Sequence, residues 1–338
     1  MHVYFLGIAG AGMSALASVL ISRGARVSGS DEAAFAPITT YLDRIGAPYH
    51  VGFDAARVPA DITLAIIGAS AKLGGADNPE LAELKRRGVR CISFPAYLGA
   101  ITAEREAILV AGSFGKSTLT AMLAVLLREA GLDPGYFVGA VPLDLPTTGH
   151  WGKSAPFVIE ADEYVVSSED RRSKFELYTP KHTLITSLQH DHVNMFPTLA
   201  AYAAPFQRLA AATPKDGLLV AARGHPLLET VTGGRAVIWY GLEEGAGFGA
   251  RNIQVGETTR FDLVTPEGAA IPIETQLIGL HNTENIVGAA AMALSLGLAD
   301  AGAVQRFAAR FRGVARRLDK KTTRARAPAY EGFGSSYE

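Results

Sequence analysis

The 338 residues include a single cysteine, two tryptophans and five methionines. One thiol, Cys91, excludes an internal disulfide framework and fits a reducing compartment. Within Arg90-Cys91-Ile92-Ser93 it reads as a small residue of a buried strand, not as a reactive thiol. An excess of either charge is also missing: 32 Lys and Arg stand against 33 Asp and Glu, a net charge of −1. No bulk attraction to nucleic acid or to a membrane surface follows, so an anionic ligand has to be held by local groups. No stretch of about 18 uninterrupted apolar residues supports membrane insertion. The apolar segment from Val3 to Ile21 lacks a basic leader and is punctuated by glycines, which argues against a signal peptide. The expectation is a cytoplasmic protein.

What is present is apolar and turn-rich. Hydrophobic residues make up 48% of the chain, with 36 Gly and 17 Pro, a composition that suits a compact α/β protein. The length favours at least two domains. Val3–Leu6, Arg26–Gly29 and Thr63–Ile67 read as strands, with helical spacing over Met13–Ser22 and Pro79–Arg87. A second unit starts near Ala107, with strands at Ile108–Ala111, Phe157–Ile159, Thr183–Thr186, Leu218–Ala221 and Val237–Tyr240 and a helix over Ser117–Ala130. Such alternation predicts parallel strands with helical crossovers. Glu257–Ile273 alternates between turn residues and predicts a small antiparallel piece; Asn285–Leu296 and Val304–Phe311 read as helices.

Two glycine loops carry the chemistry. Gly7-Ile8-Ala9-Gly10-Ala11-Gly12-Met13 follows a strand and opens a helix, so backbone N–H groups and a helix N-terminus can approach a diphosphate. Ser30 and Asp31 end the second strand, and Asp31 lies about 20 residues beyond the loop, where a ribose-binding acid is placed in dinucleotide folds. Ala9 occupies the middle glycine position of that fingerprint. The loop alone does not choose between UDP and a nicotinamide dinucleotide.

Gly112-Ser113-Phe114-Gly115-Lys116-Ser117-Thr118 lies between a buried strand and a helix. Amides around Gly112, Ser113 and Gly115 can cradle phosphate, Lys116 can neutralise it, and Ser117 can ligate Mg²⁺. Val110 stands where the longer eight-residue form has glycine, so this is the short G-x-x-G-K-S-T relative. Glu160, Asp162 and Glu163 follow one strand, and His190, Asp191 and His192 follow the next. In a parallel sheet such strand ends gather on one edge, beside the loop.

In this combination the chain resembles the Mur ligase family, ATP-dependent enzymes that build the peptide of peptidoglycan. The resemblance runs from Gly7 to Arg317 and rests on both glycine loops, Glu160-Ala161-Asp162-Glu163-Tyr164, Asp191-His192, Gly279–Asn285 and Gly313–Arg317. It implies a Rossmann-like domain for a UDP-sugar over 1–104, with Gly7, Gly10, Gly12, Met13, Ser30 and Asp31 at the ligand. A P-loop-type, mostly parallel-sheet ATPase domain would follow over 105–326. It implies ATP on Gly112 to Thr118 and Mg²⁺ on Ser117, Glu160 and His192, with Lys116, Glu160 and His192 serving catalysis. His281, Asn282, Asn285 and Arg317, or its neighbour Arg316, would contact the nucleotide. Residues 327–338 would open a third domain of roughly a hundred residues that the sequence lacks, so completed ligation is expected to need residues beyond Glu338.

Arg171-Arg172-Ser173-Lys174-Phe175 and Gly131–Gly139 are most similar to the murein peptide ligase branch, which joins L-alanyl-γ-D-glutamyl-meso-diaminopimelate to UDP-N-acetylmuramate. The branch that adds L-alanine is the runner-up. The family's loop histidine is replaced by Phe114, its threonines by Ser113 and Ser117, and Asn194 and Ser187 also depart from the pattern. Two readings of other classes stand beside the ligase: a module that binds UDP-sugar and ATP without catalysis, and an NAD-dependent dehydrogenase using the first loop. The second leaves Gly112–Thr118 and both acidic clusters unexplained.

Overall fold

The computed structural model describes residues 1–69, 77–167, 169–243, 245, 247–315, 319–321 and 329–331. The first unit runs β1 (His2–Leu6), α1 (Ala11–Ser22), β2 (Arg26–Asp31), α2 (Ile38–Ile45), β3 (Tyr49–Val51), β4 (Leu64–Ile67), α3 (Pro79–Arg86), β5 (Arg90–Ser93) and α4 (Phe94–Glu104). Its five strands are ordered β3-β2-β1-β4-β5 and all pair in parallel. The order reverses between β1 and β4, which opens a crevice at the C-terminal end of β1, where the first glycine loop emerges. Strand β1 shows why its sequence is a continuous apolar run: Val3 and Phe5 enter the main core, while Tyr4 and Leu6 enter a second core with Leu81 and Leu84 of α3. Helix α3 starts where Asn78 accepts bonds from the Glu80 and Leu81 amides at 3.1 Å, with Pro79 in the first turn.

The second unit runs β6 (Glu106–Ala111), α5 (Lys116–Glu129), β7 (Gly135–Phe137), β8 (Gly149–His150), β9 (Pro156–Glu160), β10 (His182–Ile185), α6 (Leu199–Ala212), β11 (Leu219–Ala222), α7 (Pro226–Thr232) and β12 (Ile238–Tyr240). An antiparallel meander follows, β13 (Gly249–Val255), β14 (Thr259–Val264) and β15 (Ala270–Thr275), then α8 (Leu280–Ser295) and α9 (Ala301–Arg310). The large sheet has the order β12-β11-β10-β6-β9-β7-β8, parallel except for β8. Its centre places β6 between β10 and β9, so the segments that follow all three meet on one edge. Residues 319–321 and 329–331 pair as a short antiparallel ribbon.

The two sheets share one apolar core, and α1 makes the joint. Ser18 Oγ donates to the Gly149 carbonyl at 2.8 Å, the Trp151 amide donates to Ser22 Oγ at 2.8 Å, and Arg23 stacks 4.0 Å over the Trp151 ring.

Two expectations need correction. Strand β5 is an edge strand of intermediate exposure, so Cys91 is half-buried and not enclosed on both faces; burial still pushes its thiol pKa up. The antiparallel piece is larger than expected and begins at Gly249, ahead of Glu257. Helices α2, α4, α6 and α7 were not anticipated: α2 and α7 are only eight and seven residues, and α6 carries Pro205 within an alanine-rich run.

Candidate active site

The glycine loop after β6 is held from one side by the chain leaving β10. The Ser113 amide donates to the Ser187 carbonyl at 3.0 Å, Ser113 Oγ donates to the Gln189 carbonyl at 2.8 Å, and the Phe114 amide donates to Ser187 Oγ at 3.0 Å. Thr186 Oγ1 donates to the Phe114 carbonyl. Gly112 has φ +135°, and a Cβ there would lie 2.8 Å from the Ser187 carbonyl oxygen; only glycine meets both demands. Ser187 and Ser113, which depart from the family pattern, thus brace the loop backbone. Phe114 is half-buried and offers no polar group.

Lys116 opens α5 and folds back over the loop. Its Nζ donates to the carbonyls of Gly112 at 2.6 Å and Ser113 at 3.2 Å and to Glu163 Oε1 at 3.1 Å, with Glu163 Oε2 at 2.9 Å. Ser117 Oγ donates to Glu160 Oε1 at 2.9 Å, and Glu160 Oε2 accepts from the Gly139 amide at 2.8 Å. A Cβ at Gly139 would lie 2.7 Å from that oxygen, which explains the glycine. Burial pushes the pKa values of Glu160 and Glu163 up, opposed in both by the charge of Lys116.

After β10, His192 has φ +53° and turns its Nε2 to within 3.3 Å of Glu163 Oε1. Its ring lies 4.5 Å from that of Tyr164, with Tyr164 Oη 3.3 Å from Nδ1. His190 turns elsewhere and donates to the Phe196 carbonyl at 2.7 Å. Asn285 of α8 would lie 3.0 Å, by its Oδ1, from a Cβ at Gly115, which brings the start of α8 beside the loop. Asn282 Nδ2 donates to the Ile278 carbonyl at 2.8 Å, and His281 lies exposed at the same helix end.

Ser117, Glu160, Lys116 and Asn285 therefore gather as expected around Gly112–Thr118. His192 joins them through Glu163 and not through Glu160. Among the described residues no three His, Cys, Asp or Glu side chains form a ready metal cage. The hydroxyl–carboxylate pair of Ser117 and Glu160 nevertheless fits Mg²⁺, which takes one or two protein oxygens and completes its shell with phosphate and water. Arg316 and Arg317 lie outside the described residues.

At the first loop, the Gly7 and Ile8 amides donate to the Ser30 carbonyl at 2.8 and 3.0 Å, and the Ala9 amide donates to Asp31 Oδ2 at 2.8 Å. Asp31 closes the loop while its second oxygen stays available. Two named residues face away. Ser30 is fully buried with its hydroxyl on Glu80, and Met13 packs in the core at 5% exposure, so neither side chain fronts the crevice. The alternation along β2 sends Ser30 to the face opposite Gly29 and Asp31. Gly12 packs on Phe94, whose Cζ would lie 2.8 Å from a Cβ.

Glu163 was visible in the sequence only as one of three acids in an irregular segment. It ends up 1% exposed, between Lys116 and His192. The Tyr164 ring and the Lys174–Asp162 pair at 2.7 Å complete this corner. No periodicity exists in such a segment from which to read side-chain direction.

Two mostly parallel sheets, each with a glycine loop at the mouth of its central strand, define an α/β protein whose loop geometry suits phosphate-bearing ligands. The profile "Mur ligase family, catalytic domain" matches residues 2–106, and "Mur ligase middle domain" matches residues 110–293. The chain is 34% identical to the UDP-N-acetylmuramate–L-alanine ligase of Paenarthrobacter aurescens, covering 95% of this chain and 68% of that protein. It is 36% identical to the ligase of the same name from Kineococcus radiotolerans, covering 95% and 67%. Among solved structures, the UDP-N-acetylmuramate:L-alanyl-γ-D-glutamyl-meso-diaminopimelate ligase of Neisseria meningitides superposes with a TM-score of 0.81 at 29% identity, covering 93% of this chain and 99% of that one. The chain belongs to the Mur ligase family, and thus to enzymes that ligate at the expense of ATP in peptidoglycan synthesis. A dehydrogenase reading is set aside. No helix among the described residues is long and apolar enough to cross a membrane.

Proposed function

We propose that the protein activates the carboxylate of UDP-N-acetylmuramate with ATP and joins it to an amine, L-alanine being the amine its curated relatives favour. The reading rests on one observation: Lys116 and the Ser117–Glu160 pair at 2.9 Å share the mouth of β6 with a braced glycine loop. An amide does not form from a free carboxylate and an amine in water without activation. The carboxylate oxygen attacks the γ-phosphorus, the bond to ADP breaks, and an acyl phosphate results. The amine nitrogen then attacks the acyl carbon, loses a proton, and expels phosphate.

Phosphoryl transfer asks a protein for positioning and charge neutralisation more than for covalent chemistry. In this reading the amides of Gly112, Ser113 and Gly115 and the Lys116 ammonium hold the transferring phosphate, while His281, Asn282 and Asn285 would contact the nucleotide. Ser117 and Glu160 would hold Mg²⁺, with His192 as a further candidate ligand, and the ion would offset charge on the phosphate oxygens. The unit spanning 1–104 takes the UDP-sugar on the Gly7–Gly12 backbone and Asp31, and the unit spanning 105–326 takes ATP.

A second amine has its own support. The structural neighbour from Neisseria meningitides acts on the tripeptide by name, and the Ser173–Lys174 stretch folds back on Tyr164 and Val165, with the Lys174 amide donating to the Tyr164 carbonyl at 2.8 Å. ADP release by the intact protein, with UDP-N-acetylmuramate and either L-alanine or the tripeptide, separates the two. L-Alanine is expected to give the higher kcat/KM. Preference for the tripeptide would reassign the amine, and no ADP release with either would overturn the ligase reading.

A further inference from the structure

The Lys116 ammonium has three protons, and the chain itself supplies three acceptors: the Gly112 carbonyl at 2.6 Å, the Ser113 carbonyl at 3.2 Å and the Glu163 carboxylate at 2.9–3.1 Å. A phosphate that is to meet Lys116 therefore has to displace one of them. The two carbonyls belong to the loop backbone, which Thr186, Ser187 and Gln189 fix. The carboxylate is the third partner and the only one that shares the phosphate's charge. At 1% exposure it cannot be screened by water at that distance.

We propose that Glu163 is a positioning residue that competes with the nucleotide phosphate for Lys116 and passes it on when ATP binds. This rests on the ATP reading above. The geometry supplies a place for the carboxylate to go. Its Oε1 lies 3.3 Å from His192 Nε2, and His192 is held in that orientation by the Tyr164 ring at 4.5 Å and Tyr164 Oη at 3.3 Å. Glu163 Oε1 takes the hydrogen bond from Nζ at 3.1 Å, while Oε2, 2.9 Å from Nζ, has no well-aligned donor and adds charge attraction alone. A small rotation exchanges one cationic or N–H partner for the other. Glu163 thus holds Lys116 folded over the loop and keeps two like charges from meeting once phosphate arrives.

The test is ATP binding by titration calorimetry in excess EDTA, which keeps Mg²⁺ out of the comparison, alongside titrations with Mg²⁺. Glu163→Gln keeps the shape and removes the charge. It is expected to bind Mg²⁺-free ATP about tenfold more tightly than the natural protein, the scale of a close charge coupling. In a Lys116→Ala background the same substitution is expected to give no more than a small part of that gain, because the effect runs through Lys116. Glu163→Asp, which withdraws the charge by one methylene, should shift affinity in the same direction by less, so the test does not hang on one variant. Unchanged or weaker binding by Glu163→Gln overturns the proposal, as does a full gain that persists without Lys116. If the natural protein binds no ATP with or without Mg²⁺, the ATP reading itself fails, which is a different result.

Discussion

The two glycine loops of this protein use the same backbone device and are furnished differently. Each follows the central strand of a parallel sheet, turns through a glycine of positive φ (Gly7 at +87°, Gly112 at +135°) and starts a helix whose first amides face outward. Around Gly7–Gly12 the charged side chain that binds the loop among the described residues is Asp31, and it is spent partly on the Ala9 amide. Around Gly112–Thr118 stand a lysine, a buried and a half-buried glutamate and a histidine. Backbone amides suffice to position a diphosphate that does not react. A phosphate that is transferred gathers charge in the transition state and needs a cation and metal ligands fixed beforehand. On the proposed reading, the contrast gives binding to one loop and chemistry to the other.

The largest effect that would test this division is expected from Lys116→Ala. Its rate of ADP formation in the intact protein should fall by about 10²–10³-fold, with UDP-sugar affinity and Tm nearly unchanged. A fall below tenfold would mean that the second loop positions without neutralising. Next comes Gly112→Ala, which strains the backbone at φ +135° and drives a Cβ to 2.8 Å from Ser187 O. About 2–4 kcal/mol of stability should be lost, read by denaturant unfolding. At the first loop, Asp31→Ala removes the bond to the Ala9 amide. It should cost about 1 kcal/mol of stability and raise KM for the UDP-sugar while leaving that for ATP alone. Equal effects on both substrates would break the comparison.

A pH experiment sharpens it further. Burial raises the Glu160 pKa above its ordinary 4.5, so between that value and the raised one the unfolded chain has released a proton that the folded chain retains. Stability then declines as pH rises through that window. Glu160→Gln should remove this share of the decline, so its Tm gains on the natural protein as pH increases from about 4.5; a variant that loses ground to the natural protein as pH rises would contradict the assignment. The smallest effect is expected at Cys91→Ala, half-buried on an edge strand and remote from both loops, which should stay within about 1 kcal/mol and leave turnover intact.

Much of this was legible beforehand where a pattern repeats. The apolar runs of β1, β4, β6, β9 and β10 and the amphipathic face of α3 carry their own period, and they were placed to within a residue or two. Helix α2 is amphipathic but only eight residues long, α6 carries Pro205 within an alanine-rich run, and both were missed. Among the candidate site residues, the gathering of Lys116, Ser117 and Glu160 beside the second loop was readable because each sits at a fixed offset from a strand end or a glycine. Ser30 and Met13 were named from the same logic and point elsewhere, because one step along a strand reverses a side chain and the first turn of a helix faces the core as readily as the ligand.

The sequence by itself determined the alternation of strands and helices, the two glycine turns and the acids that follow successive strands, since these depend on local sterics and on periods of two and 3.6 residues. Only the tertiary structure decided that β6 lies between β9 and β10, that Ser187 braces the loop, and that Glu163 and not Glu160 holds Lys116. These are contacts between segments tens of residues apart, joined by irregular chain whose direction no local preference sets.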